Sequence, residues 1–111
     1  MARVEDYSAY VEEIIRRYGQ YKPSYGEVEV QMIFDRENQH YQLLNVGWNK
    51  HQRIRGCVLH IDIKGGKIWI QHDGTEVGVA NEFVEMGVPQ EDIVLAYHAP
   101  YKRPYTGFAV S

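Results

Sequence analysis

Cysteine is almost absent: Cys57 stands alone in 111 residues. One thiol excludes an intramolecular disulfide framework and any cysteine-built metal cage. Cys57 sits in a run that reads as strand, which points to a buried, inert thiol. Serine is scarce too, with three copies and none beside a histidine. H-E-x-x-H, P-loop and nucleophile-elbow patterns are missing. No stretch approaches the ~20 apolar residues of a membrane span, and the first residues lack the apolar core of a signal peptide. A cytoplasmic protein without membrane contact is expected. Excess basic charge is lacking too: the net charge is −3 and the pI about 5.9. A domain that grips DNA through its phosphates usually has a pI above ~9, so autonomous DNA binding is disfavoured and any DNA contact is expected to be indirect or weak.

What is present is a core and many tyrosines. Hydrophobic residues make up 44% of the chain, enough for one packed domain spanning residues 1–111 and no second core. Nine tyrosines offer large contact area with a polar tip, which suits interfaces.

Residues 3–18 place Val4, Tyr7, Val11, Ile14, Ile15 and Tyr18 at steps of three and four, one face of a helix. Arg16 and Arg17 suit its C-terminal end, and Gly19 stops it. Lys22-Pro23-Ser24-Tyr25-Gly26 reads as a turn. Four strands follow, at 27–35, 39–48, 53–63 and 67–72, and Gly65-Gly66 is a strong hairpin signal. Residues 75–87 carry a second apolar stripe of Val79, Ala80, Phe83, Val84 and Met86 at helical spacing. A short helical start follows Pro89, and Leu95-Ala96-Tyr97 suits a last extended piece. The tail from His98 to Ser111 has no helical period.

Turn lengths predict register. Gly65-Gly66 at a tip sets Ile63 opposite Ile68 and Ile61 opposite Ile70. A turn at 49–52 sets Leu44 opposite Cys57, and a five-residue loop at 35–39 sets Val30 opposite Leu44. Those pairings gather Val28, Val30, Met32, Phe34, Leu44, Val46, Trp48, Cys57, Leu59, Ile61, Ile63, Ile68 and Ile70 on one apolar face, the expected core. The predicted fold is α+β: a four-stranded antiparallel meander with N-terminal and C-terminal helices packed on one face and an extended C-terminal tail. The other face would hold Glu29, Gln31, Ile33, Tyr41, Leu43, Asn45, Val58, His60, Asp62, Trp69 and Gln71. That mixture resembles an interface, with a partner protein, a second copy or the tail as its cover. Partner binding is expected at Ile33, Tyr41, Leu43, His60 and Trp69, and at Tyr101, Tyr105 and Phe108 of the tail.

Candidates for chemistry are few. His60 and Asp62, at i and i+2, share a strand face. The hairpin register sets His72 opposite Leu59, on the far side, so no third ligand joins them. No catalytic residue, metal ligand or cofactor is assigned. Two basic spots could meet phosphate: Lys50, Arg53 and Arg55 with His51 at a hairpin tip, and Lys102 and Arg103 between two tail tyrosines.

Several segments together resemble one family. They are Tyr21-Lys22-Pro23-Ser24-Tyr25-Gly26-Glu27-Val28-Glu29-Val30-Gln31, His40-Tyr41-Gln42-Leu43-Leu44-Asn45-Val46-Gly47-Trp48, and Gly56-Cys57-Val58-Leu59-His60-Ile61-Asp62-Ile63-Lys64. Two more are Lys67-Ile68-Trp69-Ile70-Gln71 with Asp73-Gly74-Thr75-Glu76, and Tyr105-Thr106-Gly107-Phe108-Ala109-Val110. In this order they resemble the XisI family, the fdxN element excision controlling factors. The resemblance implies a cyanobacterial, non-catalytic accessory to programmed DNA excision during heterocyst development, with a XisH-type protein as partner and a separate recombinase doing the strand chemistry. It brings no catalytic residues. Direct DNA binding, and a small metal-dependent hydrolase using His60 and Asp62, are the alternatives.

Overall fold

The computed structural model describes residues 4–21, 23, 24 and 26–111, with the side chain of residue 4 excepted. Residue 3 of the expected helix, and Lys22 and Tyr25 of the expected turn, lie outside the described residues. A 3₁₀ turn, Val4–Asp6, leads into α1, Tyr7–Tyr18. The strands are β1 Glu27–Asp35, β2 His40–Asn49, β3 Gln52–Lys64 and β4 Lys67–Asp73. Helix α2, Val79–Glu85, then precedes β5, Ile93–Leu95.

The sheet has five strands in the order β1-β2-β3-β4-β5. The first four form the expected antiparallel meander, but β5 runs parallel to β4, which corrects the four-stranded expectation. Parallel neighbours need a crossover, and α2 supplies it. The second helix is shorter than expected because residues 75–78 form a loop drawn around Asp73. Asp73 Oδ1 accepts from the Thr75 backbone N–H at 2.9 Å and its Oδ2 from the Val79 N–H at 2.9 Å. Both helices bury their apolar sides in one core with one face of the sheet. Tyr7, Val11, Ile14 and Ile15 of α1 and Val79 and Phe83 of α2 join Tyr41, Leu43, Leu59, Ile61, Ile68, Ile70 and Ile93. Each large aliphatic side chain buried there contributes roughly 1.5–3 kcal/mol.

Polar contacts fix how the helices sit. Tyr18 Oη donates to Glu82 Oε2 at 2.6 Å, and Arg17 donates to Glu82 Oε1 at 3.0 Å. Tyr7 Oη donates to Asp92 at 2.6 Å. Glu12 is buried on α1 and accepts from Arg36 at 2.9 and 2.8 Å and from Arg16 at 3.1 Å. These guanidinium groups hold its carboxyl below the usual value and also lie over the Phe34 ring.

The register departs from expectation in three places. The β1–β2 turn has four residues, not five, so Asp35 pairs with His40 and Val30 with Asn45. Asp35 closes it by accepting from the Asn38 backbone N–H at 3.0 Å, and Gln39 takes a left-handed φ of 62°. In β3 a bulge at Val58 lets Leu44 face Cys57 as expected while Leu43 faces Leu59. In β4 a bulge at Gln71 preserves Ile61 opposite Ile70 but sets His72 opposite His60 rather than Leu59. A one-residue slip exchanges the faces of a strand. Tyr41 and Leu43, expected on the open face, are therefore in the core at 0% and 1% exposure. Leu44, Val46, Trp48 and Cys57, expected in the core, lie on the face away from the helices. Met32 stays on the helix side beside Gly19 but is half exposed.

Candidate functional site

The open face is defined by rows of opposed residues. Glu27, Trp48 and Arg53 form one, Glu29, Val46 and Arg55 the next, then Gln31, Leu44 and Cys57. Ile33, Gln42, His60 and His72 follow, and the last is Asp35, His40, Asp62, Trp69 and Val94.

At the last two rows lies a polar cluster around Asp62, which is only 7% exposed. Its Oδ1 lies 2.8 Å from His40 Nδ1 and 3.1 Å from His60 Nε2, and its Oδ2 accepts from Gln71 Nε2 at 3.1 Å. An ionised carboxylate has no proton to donate, so both facing imidazole nitrogens carry hydrogen. The cluster floors a hollow of about 380 Å³ walled by Ile33, Asp35 and Gln42. Both carboxylate oxygens are thus occupied by side chains, an arrangement that fixes the imidazoles in place. Among the described residues no group of three or more His, Cys, Asp or Glu is arranged to hold a metal ion. Cys57, one row away, points its thiol at the Leu59 carbonyl at 3.3 Å, and burial raises its pKa, which keeps it from the thiolate form.

The tail closes the other side of the face. Pro100–Tyr105 is a 3₁₀ segment, although the residues there carry no helical period. The Ala109 N–H donates to the Ile93 carbonyl at 2.8 Å, and Ala109 bridges Val94 in parallel. Arg103 is the fastener. It donates to the carbonyls of His98 at 3.0 Å, Ala96 at 3.3 Å and Val110 at 3.5 Å. Its guanidinium also stands 5.8 Å from the Trp69 ring, with Lys64 Nζ at 4.3 Å from that ring. Trp69 is half-buried, and its Nε1 finds no hydrogen-bond partner among the described residues.

The candidate residues therefore separate. Ile33, His60 and Trp69 share the open face, Ile33 being 44% exposed. Tyr101 and Tyr105 project from the tail at 73% and 88% exposure. Phe108 packs against the chain's own core. Arg103 is committed to the fold, whereas Lys102 is exposed above Tyr101. Lys50, Arg53 and Arg55 are exposed at the far end of the face, Arg53 lying 5.2 Å from the Trp48 ring. His40 is the member that sequence reasoning missed, while Gln71 was expected on this face with His60 and Asp62. Without the Val58 bulge the register sets His40 opposite Ile61, on no face shared with Asp62.

The whole chain has counterparts. A family model described as XisI protein matches residues 1–110. No curated protein matches. A solved XisI-like protein from Anabaena variabilis ATCC 29413 is 48% identical, with a TM-score of 0.92 over 98% of this chain and 100% of its own. The solved fdxN element excision controlling factor XisI from Anabaena variabilis ATCC 29413 is 32% identical, with a TM-score of 0.86 over 99% and 100% of the two chains.

Proposed function

Because this chain belongs to the XisI family, we propose that it is a non-catalytic controlling factor for excision of a DNA element, acting by binding a XisH-type partner protein. Its similarity along 99% of its length to a protein named for control of fdxN element excision supports the excision role. The observation that carries the binding role is the pairing of an unlidded sheet end with two exposed tyrosines. Ile33 and the His40–Asp62–His60 cluster present a firm, half-polar floor, and Tyr101 and Tyr105 stand out from a tail that Arg103 fastens beside it. Aromatic anchors on a rigid support are the usual centre of a protein interface.

The test is co-purification with a XisH-type protein. Changing Tyr101 and Tyr105 together to Ala is expected to weaken capture at least ~10-fold, the loss of more than ~1.4 kcal/mol typical of interface anchors. Ile33→Asp should act in the same direction. Undiminished capture by both variants would remove the tail and this end of the sheet from the interface.

Direct DNA contact is the second reading, and it rests on Lys50, Arg53 and Arg55 around Trp48. Glu27 and Glu29 share that end of the face, so phosphates would meet acids as well as bases there. A gel shift on element-end DNA, weakened by Arg53→Glu and by salt, would favour it.

A further inference from the structure

Two acids and two bases at the far end of the open face are left without ion-pair partners. Glu27 and Glu29 on β1 and Arg53 and Arg55 on β3 are all exposed. None joins an ion pair among the described residues. Glu29 accepts only from Gln31 at 2.8 Å, and Arg53 donates to the Gly47 carbonyl at 3.3 Å. The two columns flank β2, about 9–10 Å apart at two strand spacings. The β2 column between them is apolar: Leu44, Val46 and Trp48, with Trp48 50% exposed.

From this pattern we infer that a second copy of the chain covers this end of the face. A two-fold axis parallel to β2 carries β1 of one copy over β3 of the other and lays β2 on β2. Rows are preserved, so Glu27 and Glu29 meet Arg53 and Arg55 of the other copy, and each match recurs across the axis. Leu44, Val46 and Trp48 then pack on themselves. A self-complementary patch of this kind is what an isologous interface requires, with sheets aligned to within ~30°. Nucleic acid fits less well, because its phosphates would be repelled by Glu27 and Glu29.

The match has an end. In the row of Asp35, His40 and Asp62, the same axis sets Asp35 over Asp62 of the other copy, acid on acid. The contact therefore stops at the row of Gln31, Leu44 and Cys57 and leaves Ile33, the histidine cluster and the tail uncovered. Five positions on each of three strands outline roughly 17 by 14 Å, on the order of 240 Å² of flat sheet per copy. That is small beside the ~800 Å² per partner of a standard interface, so the dimer is weak and concentration-dependent. The inference goes beyond the partner-binding reading and stands or falls separately from it.

Sedimentation of the full chain from about 10 to 500 micromolar, a range that brackets weak association, tests it. A dimer is expected at low salt and should dissociate as salt rises. Glu29→Arg and Arg55→Glu should each be monomeric, with circular dichroism unchanged because both residues are exposed. Mixing the two variants should restore a dimer, since position 29 of each copy then meets the opposite charge at position 55 of the other. A wild-type monomer at the highest concentration overturns the inference. So do single variants that dimerise normally, or a mixture that stays monomeric.

Discussion

His40 Nδ1 lies 2.8 Å from Asp62 Oδ1, across 22 positions of sequence. The contact ties the first residue of β2 to β3 at the sheet end where the partner site is proposed. Replacing Asp62 with Ala would strip His40, His60 and Gln71 of a shared, nearly buried acceptor. Hydrogen bonds to a charged group contribute about 1.5–3 kcal/mol. Asp62→Ala should therefore lose about 2 kcal/mol in urea unfolding, or ~8 °C in Tm at roughly 4 °C per kcal/mol. An unaltered midpoint would show that the cluster is not part of the stability of this sheet.

Glu12 makes a prediction with a sign in pH. Arg36 and Arg16 hold its folded-state pKa below the ordinary value. A depressed carboxylate stabilises the fold fully above its unfolded value of about 4.3 and loses that stabilisation as pH falls through the folded value. The wild type should thus weaken on acidification below about pH 5, and Glu12→Gln should be less stable at pH 7 with a flatter acid limb. Urea melts from neutral to acid pH compare the two. Parallel curves would assign the acid sensitivity to other carboxylates.

Gly47 lets β1 approach β2 closely. A Cβ there would overlap the Glu27 carbonyl oxygen and come within 2.7 Å of Val28 Cα. Gly47→Ala should cost about 2–3 kcal/mol, in the upper part of the range for overpacking, and speed amide exchange at Val28–Gln31. Wild-type exchange in β1 would refute the close approach.

Arg103→Ala should unfasten the tail without melting the core. Trp69 would lose its cover and its emission should shift to the red, while amides from 96 to 110 exchange faster. The Tm should fall by only a few degrees, since the residue's partners are exposed or half-buried. Unchanged fluorescence and exchange would mean that the Ala109 bridge and Phe108 hold the tail alone.

Much of this fold is legible in sequence, and the exceptions share a cause. Strand and helix positions follow from apolar period and turn residues, and Gly65-Gly66 sets Ile61 against Ile70 because the tip admits positive φ. Face assignment failed on β2, where Tyr41, Leu43, Leu44, Val46 and Trp48 make both sides apolar and alternation carries no signal. The bulges at Val58 and Gln71 insert single residues that no period reveals. The last extended piece, expected at Leu95-Ala96-Tyr97, lies two residues earlier as β5, because three consecutive buried residues, Ile93–Leu95, have no alternation to read. The Asp62 cluster was half visible: His60 and Asp62 share a strand face by spacing, whereas His40 arrives only through the bulged register.

The three acceptors that hold Arg103 are main-chain oxygens, which every residue type supplies. Arg103's share of the fastening therefore rests on one side chain, and the identities at 96, 98 and 110 can drift without releasing that share. Tyr101 and Tyr105 are carried on that fixed frame without helping to hold it. The recognition proposed at those positions could then be rewritten over generations by single substitutions while the domain beneath stays folded.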